Sequence, residues 1–169
     1  NLHSGVVCAH RQHGLEASLS YELVANPASC LSGTAIRATY SHYRFRYKNF
    51  IQGINDYSGN TMPGVSPDNI NLLANLQMKP GFYVNLVYSY TGKIQLNDAN
   101  TAAATAYHLL SAKAGYKKQF KKILWSFFAG ADNITDERYS LGNDINGFGG
   151  RYFNVAAGRS FYAGIEAGW

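Results

Sequence analysis

The sequence is poor in the residue types that build disulfide scaffolds, metal centres and helical membrane proteins. Its 169 residues include two cysteines, Cys8 and Cys30, with no CxxC, HExxH or paired Cys/His cluster around them. No apolar run approaches the roughly 20 residues that a transmembrane helix needs. The chain also starts without a charged region followed by an apolar run, as we expect of a fragment. These shortages exclude common metal and redox motifs and a helical membrane span, but not a barrel of short strands.

The formal net charge of +5 suggests an anionic partner. The basic residues fall mostly at the ends of segments, as Lys117, Lys118, Lys121 and Lys122 do. Such a spread does not form the continuous basic stripe that is typical of nucleic-acid-binding surfaces. We therefore expect no nucleic-acid partner.

Tyrosine and glycine are abundant, at 13 and 17 residues, and suit a β-protein with many turns. From Leu15 to Leu23 the odd positions are apolar or aromatic, and serine and glutamate lie between them. Alternation at a period of two places successive side chains on opposite faces of a sheet. The sequence therefore predicts an all-β, antiparallel up-and-down meander with strands near 14–24, 33–48, 69–79, 82–96, 107–118, 123–134 and 154–169.

The aromatic residues of the second strand change parity at Tyr43, Phe45 and Tyr47. A β-bulge near His42 would explain this change. Emergence of the strand above a membrane would also explain it, because neither face must be apolar there.

The predicted connections alternate in length. Short ones cover 25–32, 79–81 and 119–122, and long ones cover 49–68, 97–106 and 135–153. Short turns at one end and long loops at the other are the plan of an outer-membrane barrel, whose short turns face the periplasm. Aromatic residues near strand ends fit interfacial girdles: Tyr21, Tyr88, Tyr90, Tyr116, Trp125 and Trp169.

Two other classes of protein fit the same pattern. A small complete outer-membrane barrel is one, if Val6 to Arg11 supplies an eighth strand. A soluble β-sandwich that binds carbohydrate through exposed aromatic residues is the other, because soluble sheets also alternate.

Four segments carry the sequence patterns of one family, in order along the chain. They read G-L-E-A-S-L-S-Y at 14–21, Y-S-G-N-T-M-P-G-V-S-P-D-N-I-N-L-L-A-N-L at 57–76, A-G-A-D-N-I-T-D-E-R-Y-S at 129–140 and G-R-S-F-Y-A-G-I-E-A-G-W at 158–169. Together they resemble the C-terminal barrel strands of the TonB-dependent outer-membrane receptors. The positions that match the family's motifs are Asn133, Asp136, Tyr139, Gly158, Arg159 and the terminal aromatic Trp169, while Ile134 and Thr135 depart from the commonest form.

The resemblance implies that residues 1–169 are the C-terminal segment of a 22-stranded transmembrane β-barrel, without the plug domain. The implied function is import of a scarce nutrient, driven by the TonB system, across the outer membrane of a Gram-negative bacterium. An iron–siderophore complex is the ligand we expect first, ahead of haem, cobalamin or a glycan. The implied partners are outer-membrane lipid, the nutrient ligand, the barrel assembly machinery through the terminal strand, and TonB only through the missing N-terminal part.

No catalytic, metal or cofactor site is predicted, and we do not expect an enzyme. The five histidines are scattered, and Asp132 and Asp136 are interpreted as turn residues. Asn133 and Tyr139 are expected to fix the start of a loop. From their location in long loops, the predicted ligand contacts are Tyr57, Asn60, Arg138, Asn143, Asp144, Arg151 and Tyr152.

Two structural expectations follow from the barrel plan. Cys8 and Cys30 flank a strand that crosses the membrane, so they should not form a disulfide with each other. The excised sheet has two unpaired edges, so the isolated segment should curl into a small barrel or pair with another chain.

Overall fold

A computed structural model describes residues 7–24 and 30–169, which form one main antiparallel sheet with long loops at one end and two small two-stranded sheets. Its strands are β1 (Val7–Val24), β2 (Leu31–Gln52), β3 (Asn55–Asp56), β4 (Asp68–Met78), β5 (Phe82–Thr91), β6 (Ile94–Gln95), β7 (Ala103–Ala104), β8 (Tyr107–Phe120), β9 (Ile123–Asp132), β10 (Ser140–Asn143), β11 (Phe153–Val155) and β12 (Ser160–Gly168). The main sheet has the order β1-β2-β4-β5-β8-β9-β12, and β3 pairs antiparallel with the end of β2. β6 pairs with β7 and β10 pairs with β11 in two further two-stranded sheets. The predicted seven-strand meander is therefore confirmed.

The sheet has two chemically different faces because the register of each strand pair is unbroken across the body of the sheet, with shifts only near the strand ends at Ala9/His10 and Leu31/Gly33. One row of neighbours runs across five strands as Leu19, Ala38, Leu72, Tyr88 and Leu110. The next row, on the opposite face, reads Ser20, Arg37, Leu73, Val87 and Ser111. We call the side of Leu19 the apolar face and the side of Ser20 the polar face. A shift of one residue in any pair would exchange the two faces.

The buried apolar residues of the described chain lie at the long-loop end rather than across the apolar face of the sheet. They are Tyr47, Phe50, Leu96 and Ala104, and Leu96 is completely buried. Large side chains on the apolar face stay open, with Leu19 70% exposed and Phe161 77% exposed. No second sheet packs against the main one within the described residues, so the β-sandwich alternative is wrong.

The sheet is also open. Within the described residues, β1 and β12 each pair on one side only, so the small closed barrel does not form. Residues Val7 to Arg11 continue β1 and pair with β2, and they do not make an eighth strand. Val6 lies outside the described residues.

Several predicted boundaries need correction. β1 begins at least as early as Val7, and β2 continues to Gln52 because both extend beyond the alternating segment. The predicted strand 82–96 ends at Thr91, where Gly92 donates a backbone hydrogen bond to Asp68 instead. The predicted strand 154–169 is divided, because 153–155 pairs with β10 while Ser160–Gly168 pairs with β9.

The predicted bulge near His42 is wrong. The register between β1 and β2 is unbroken from His10 opposite Tyr47 to Val24 opposite Gly33, and it shifts only between Ala9 and His10. Tyr43, Phe45 and Tyr47 therefore lie on the polar face, in line with Arg37. The aromatic residues change parity because β2 extends past the apolar stretch, where its polar face is covered by loops.

Both cysteines are free, as predicted. Cys8 pairs with Phe50 at the long-loop end, whereas the Cys30 carbonyl accepts a hydrogen bond from Lys79 at the short-turn end. Among the described residues, no helix is long and apolar enough to cross a membrane.

Candidate ligand site in the long loops

Three long loops, 53–67, 92–106 and 133–159, pack against one another at one end of the sheet. The middle loop lies between the other two. The Asn100 side chain accepts a hydrogen bond from the Thr61 N–H and donates one to the Thr61 carbonyl, both at 2.8 Å. Gly64 donates to the Gln95 carbonyl at 2.9 Å. The first and middle loops are therefore joined by backbone-like hydrogen bonds.

Asp98 joins the middle loop to β2 and to the third loop. Its carboxylate accepts hydrogen bonds from the Tyr47 hydroxyl at 2.6 Å and from the Asn146 amide at 2.9 Å. The Asp98 N–H donates to the Asn146 side chain at 3.1 Å, and the Asn146 N–H donates to the Leu96 carbonyl at 2.9 Å. Burial, followed by the bond to Asp98, raises the pKa of Tyr47 well above its usual range.

A polar cavity of about 360 Å³ opens where the three loops meet. Tyr57 from the first loop and Tyr152 from the third loop face it, and the remaining lining residues are Gln52, Asn97, Asp98, Ala99 and Asn146. Hydroxyl, amide and carboxylate groups therefore surround a space that suits a hydrophilic ligand. Asn60 lies behind this lining, where its amide donates to the Asp98 carbonyl at 2.8 Å.

A second, larger cavity of about 630 Å³ lies between the third loop and residues 104–107. Arg138 and Asn143 line it, together with Tyr139, whose ring centroid is 5.0 Å from that of Tyr107. The Asn143 Oδ1 atom is buried and has no hydrogen-bond partner within the described part of the chain.

The seven predicted ligand contacts therefore divide into three groups. Tyr57 and Tyr152 share the polar cavity, and Arg138 and Asn143 share the larger one. Asn60 joins two loops, while the side chains of Asp144 and Arg151 are exposed and line neither cavity. Sequence reasoning missed Asp98 and Asn146. Both lie in Asn/Asp-rich stretches, N-D-A-N at 97–100 and N-D-I-N at 143–146, whose composition indicates loops but not which side chains bond to each other.

Asn133 organises the start of the third loop. It is buried, and its side chain donates to the Glu137 carbonyl and accepts from the Glu137 N–H, both at 2.9 Å. Its φ of 49° lies in the left-handed region that asparagine tolerates better than most residues. Asp136 connects this turn to the other end of the loop, because its carboxylate accepts a hydrogen bond from the Arg159 N–H at 3.0 Å. Gly158 lies beside this bond, since an added Cβ would be 3.1 Å from Asp136 Oδ1.

A small polar cluster lies on the apolar face near the long-loop end. The Tyr40 hydroxyl and His42 Nδ1 are each 2.8 Å from Asp68 Oδ1. The three residues occupy neighbouring positions of β2 and β4, in rows that otherwise continue the apolar face. The apolar face therefore ends at this height, and the loops begin above it.

The sequence of residues 9–134 matches the family described as TonB dependent receptor-like, beta-barrel. The chain belongs to this family. The match extends from Ala9 in β1 to the turn at Asn133, so it includes every strand of the main sheet except β12.

Solved structures of receptors share this fold. The siderophore receptor PiuA from Acinetobacter baumannii is 20% identical, with a TM-score of 0.70 over 95% of this chain and 22% of that chain. The ferric citrate transporter FecA in its unliganded form is 17% identical, with a TM-score of 0.73 over 95% and 24%. The ferric yersiniabactin uptake receptor FyuA from Yersinia pestis is 19% identical, with a TM-score of 0.65 over 94% and 23%.

At these identities the likeness to each solved structure shows the fold alone. The TonB-dependent receptor chain described here spans about a quarter of the length of these proteins. The named neighbours are receptors and a transporter.

Proposed function

We propose that this chain is the C-terminal part of the barrel wall of an outer-membrane receptor that imports an iron–siderophore complex, driven by the TonB system. The observation that carries the proposal is the two-faced register that seven strands share across the body of the sheet, with long loops at one end only. A barrel wall needs one face for lipid and one for the lumen, and such barrels have short turns on the periplasmic side.

In this proposal the apolar face contacts hydrocarbon and the polar face lines the lumen. β4, with 11 residues, and β5, with 10, have about the length of the 9–11 residues that cross a bilayer, and their apolar-face side chains run from Ile70 to Leu76 and from Val84 to Tyr90. β2, with 22 residues, is about twice that length, so its upper part stands outside the membrane. The terminal strand, ending at Trp169, is the part that we expect the barrel assembly machinery to contact.

We propose the polar cavity as part of the ligand site. Tyr57 and Tyr152 approach it from different loops, and the middle loop supplies carboxylate and amide groups. An oxygen-rich ferric chelate presents hydroxyl and carbonyl groups that such a lining can bind. Three of the similar solved structures carry names that refer to ferric complexes or siderophores, which favours this ligand class.

The test is uptake of radioactive iron by cells that express the full-length receptor under iron limitation, with a panel of ferric siderophores. Deletion of the receptor should abolish uptake of at least one chelate, and removal of TonB should have the same effect. The double variant Tyr57→Ala, Tyr152→Ala should lower uptake by about tenfold or more, since tyrosine is among the residue types that most often contribute above about 1 kcal/mol each at binding sites.

Phe148→Ala is the matched control, because Phe148 is an aromatic residue of the third loop that is 98% exposed and lines neither cavity. It should leave uptake within about twofold of the parent, at equal receptor levels in the outer-membrane fraction. Normal uptake of every chelate in the deletion strain, or uptake that persists without TonB, would contradict the proposal.

A further inference from the structure

The β8–β9 hairpin carries an aromatic groove on the apolar face, at the short-turn end. Tyr116 pairs with Phe127, and Lys118 pairs with Trp125, so their side chains project on the same side. With Phe120 they enclose a groove of about 310 Å³. The rings of Trp125 and Phe127 are nearly parallel, at 13°, with centroids 6.3 Å apart. Phe120 remains 62% exposed and Phe127 46% exposed, so the groove is accessible from outside the sheet.

Four lysines lie within one six-residue stretch of the hairpin, 117–122, and three of them lie beside this groove. Lys118 forms part of its wall, and Lys121 lies at the tip of the hairpin with its Nζ 5.7 Å from the Phe120 ring centroid. Lys122 is exposed beside it, and Lys117 points to the polar face, 5.1 Å above the Tyr83 ring.

Carboxylates do not balance this charge on the apolar face. The sequence has no aspartate or glutamate between Asp98 and Asp132. Glu166 is near in the sheet, but it pairs with Ser126, and Ser126 pairs with Lys117, so this row belongs to the polar face. Lys118, Lys121 and Lys122 therefore present a net positive charge next to an apolar groove.

The groove is complete in this chain. β8 and β9 lie in the interior of the sheet, with β5 on one side and β12 on the other. The missing part of the receptor would join at β1 and β12, so it would not build or cover this site from within the sheet. Further strands that join at β1 and β12 and close the barrel would therefore leave the groove facing outward.

We propose that this hairpin binds one anionic phospholipid of the bilayer leaflet at the short-turn end. One acyl chain lies in the groove of Phe120, Trp125 and Phe127, and the phosphate group contacts Lys118, Lys121 and Lys122. A cluster of lysines at a membrane surface selects anionic headgroups, while the aromatic groove adds apolar contact that a free phosphate could not use. The inference relies on the proposed function only for the placement of the apolar face against lipid.

Fluorescence quenching of Trp125 by brominated lipids tests this site. The full-length receptor is reconstituted with brominated phosphatidylglycerol or brominated phosphatidylcholine, and the Trp125 signal is the difference between the parent and Trp125→Phe. The parent should prefer the anionic lipid by at least about fivefold in relative binding constant, which corresponds to one effective lysine contact. Lys118→Gln, Lys121→Gln, Lys122→Gln in one chain should remove that preference.

Lys48→Gln, Lys93→Gln is the matched control, because both lysines are exposed and lie at the long-loop end of the sheet. It should keep the preference of the parent. Equal quenching by both lipids in the parent, or equal loss in the control variant, would overturn the inference while leaving the barrel proposal intact. Absence of Trp125 quenching by either lipid would instead contradict the membrane placement, and with it the proposed function.

Discussion

Glycines on the polar face lie under aromatic rings of the neighbouring strand. The direct pairs are Gly14 with Tyr43, Gly115 with Tyr83, Gly130 with Tyr162 and Gly164 with Phe128. A Cβ added to any of these glycines would be 2.4–2.6 Å from its partner ring. The rings therefore lie flat across the strands, as in the aromatic rescue of strand glycines.

Gly115→Ala should destabilise the barrel wall, because the new Cβ would also meet the Phe127 carbonyl oxygen at 2.6 Å, which is backbone and cannot rotate away. The free energy of unfolding of the full-length receptor in detergent should fall by about 1–3 kcal/mol, as for other overpacked sites. Denaturant unfolding, followed by tryptophan fluorescence, measures it. Gly168→Ala is the control, since nothing lies within 4 Å of its added Cβ. Equal stability of the two variants would show that the ring and the backbone adjust without cost.

At the residue level, the alternation of apolar and polar residues predicts strands and their faces, but it does not predict which residues of two strands become neighbours. The alternation from Leu15 to Leu23 was sufficient to place that strand and its two faces, because every inward or outward position is decided by a period of two. The glycine–aromatic pairs could not be predicted in the same way. They depend on which residues of two strands become opposite neighbours, and that register is set by distant turns.

At the scale of elements, the contacts between the long loops could not be predicted from local sequence either. Asp98 and Asn146 are 48 residues apart, and Asn100 and Thr61 are 39 apart, yet these pairs hold the three long loops together. Local sequence indicates loops at these positions, because asparagine and aspartate tolerate turn conformations. It does not indicate which loops share hydrogen bonds. The placement of Tyr57 and Tyr152 in one cavity could therefore not be derived from their position in the sequence alone.

Tyr47→Phe should loosen the middle loop, because it removes the hydroxyl that donates to Asp98. Hydrogen bonds to charged groups contribute about 1.5–3 kcal/mol, so amide protection in residues 92–106 should fall by about tenfold or more. Hydrogen exchange of the full-length receptor with mass spectrometry measures this. Tyr57→Phe is the control, since within the described chain the Tyr57 hydroxyl has no hydrogen-bond partner.

Burial of Tyr47, together with its bond to Asp98, gives a pH dependence with a definite sign. Because the pKa of Tyr47 is raised in the folded state, its contribution is complete below the unfolded tyrosine pKa of about 10 and is lost as the pH rises above it. Loop protection in the parent, corrected for intrinsic exchange, should therefore decrease above pH 10. In Tyr47→Phe this decrease should be smaller. A parent whose loop protection is unchanged across this range would contradict the role of the Tyr47–Asp98 bond.

At the scale of the whole molecule, the sheet of the described residues leaves most of its apolar face and both edges open, which is unusual for a water-soluble domain. The large exposed residues of the apolar face include Leu15, Leu19, Tyr21, Leu72, Phe82, Phe127, Phe161 and Ile165. A contiguous apolar surface of this kind is typical of an interaction with a membrane or a protein partner.

The chain covers 22–24% of the three receptors compared above, so in the proposed receptor the open edges at β1 and β12 are where the remaining wall would join. We still expect the excised segment to associate through these edges, which size-exclusion chromatography with light scattering would show.

Spin labels along β4 test the central claim, that the apolar face contacts hydrocarbon, most directly. In the full-length receptor in bilayers, Cys8 and Cys30 are replaced by serine, and single cysteines are introduced at positions 71 to 76. Labels at 72, 74 and 76 should be accessible to oxygen dissolved in lipid, and labels at 71, 73 and 75 should not. Leu73 decides the question, because it is apolar in sequence but lies on the polar face beside Arg37. A label at 73 as accessible to oxygen as the label at 72, or an accessibility without alternation, would contradict the account.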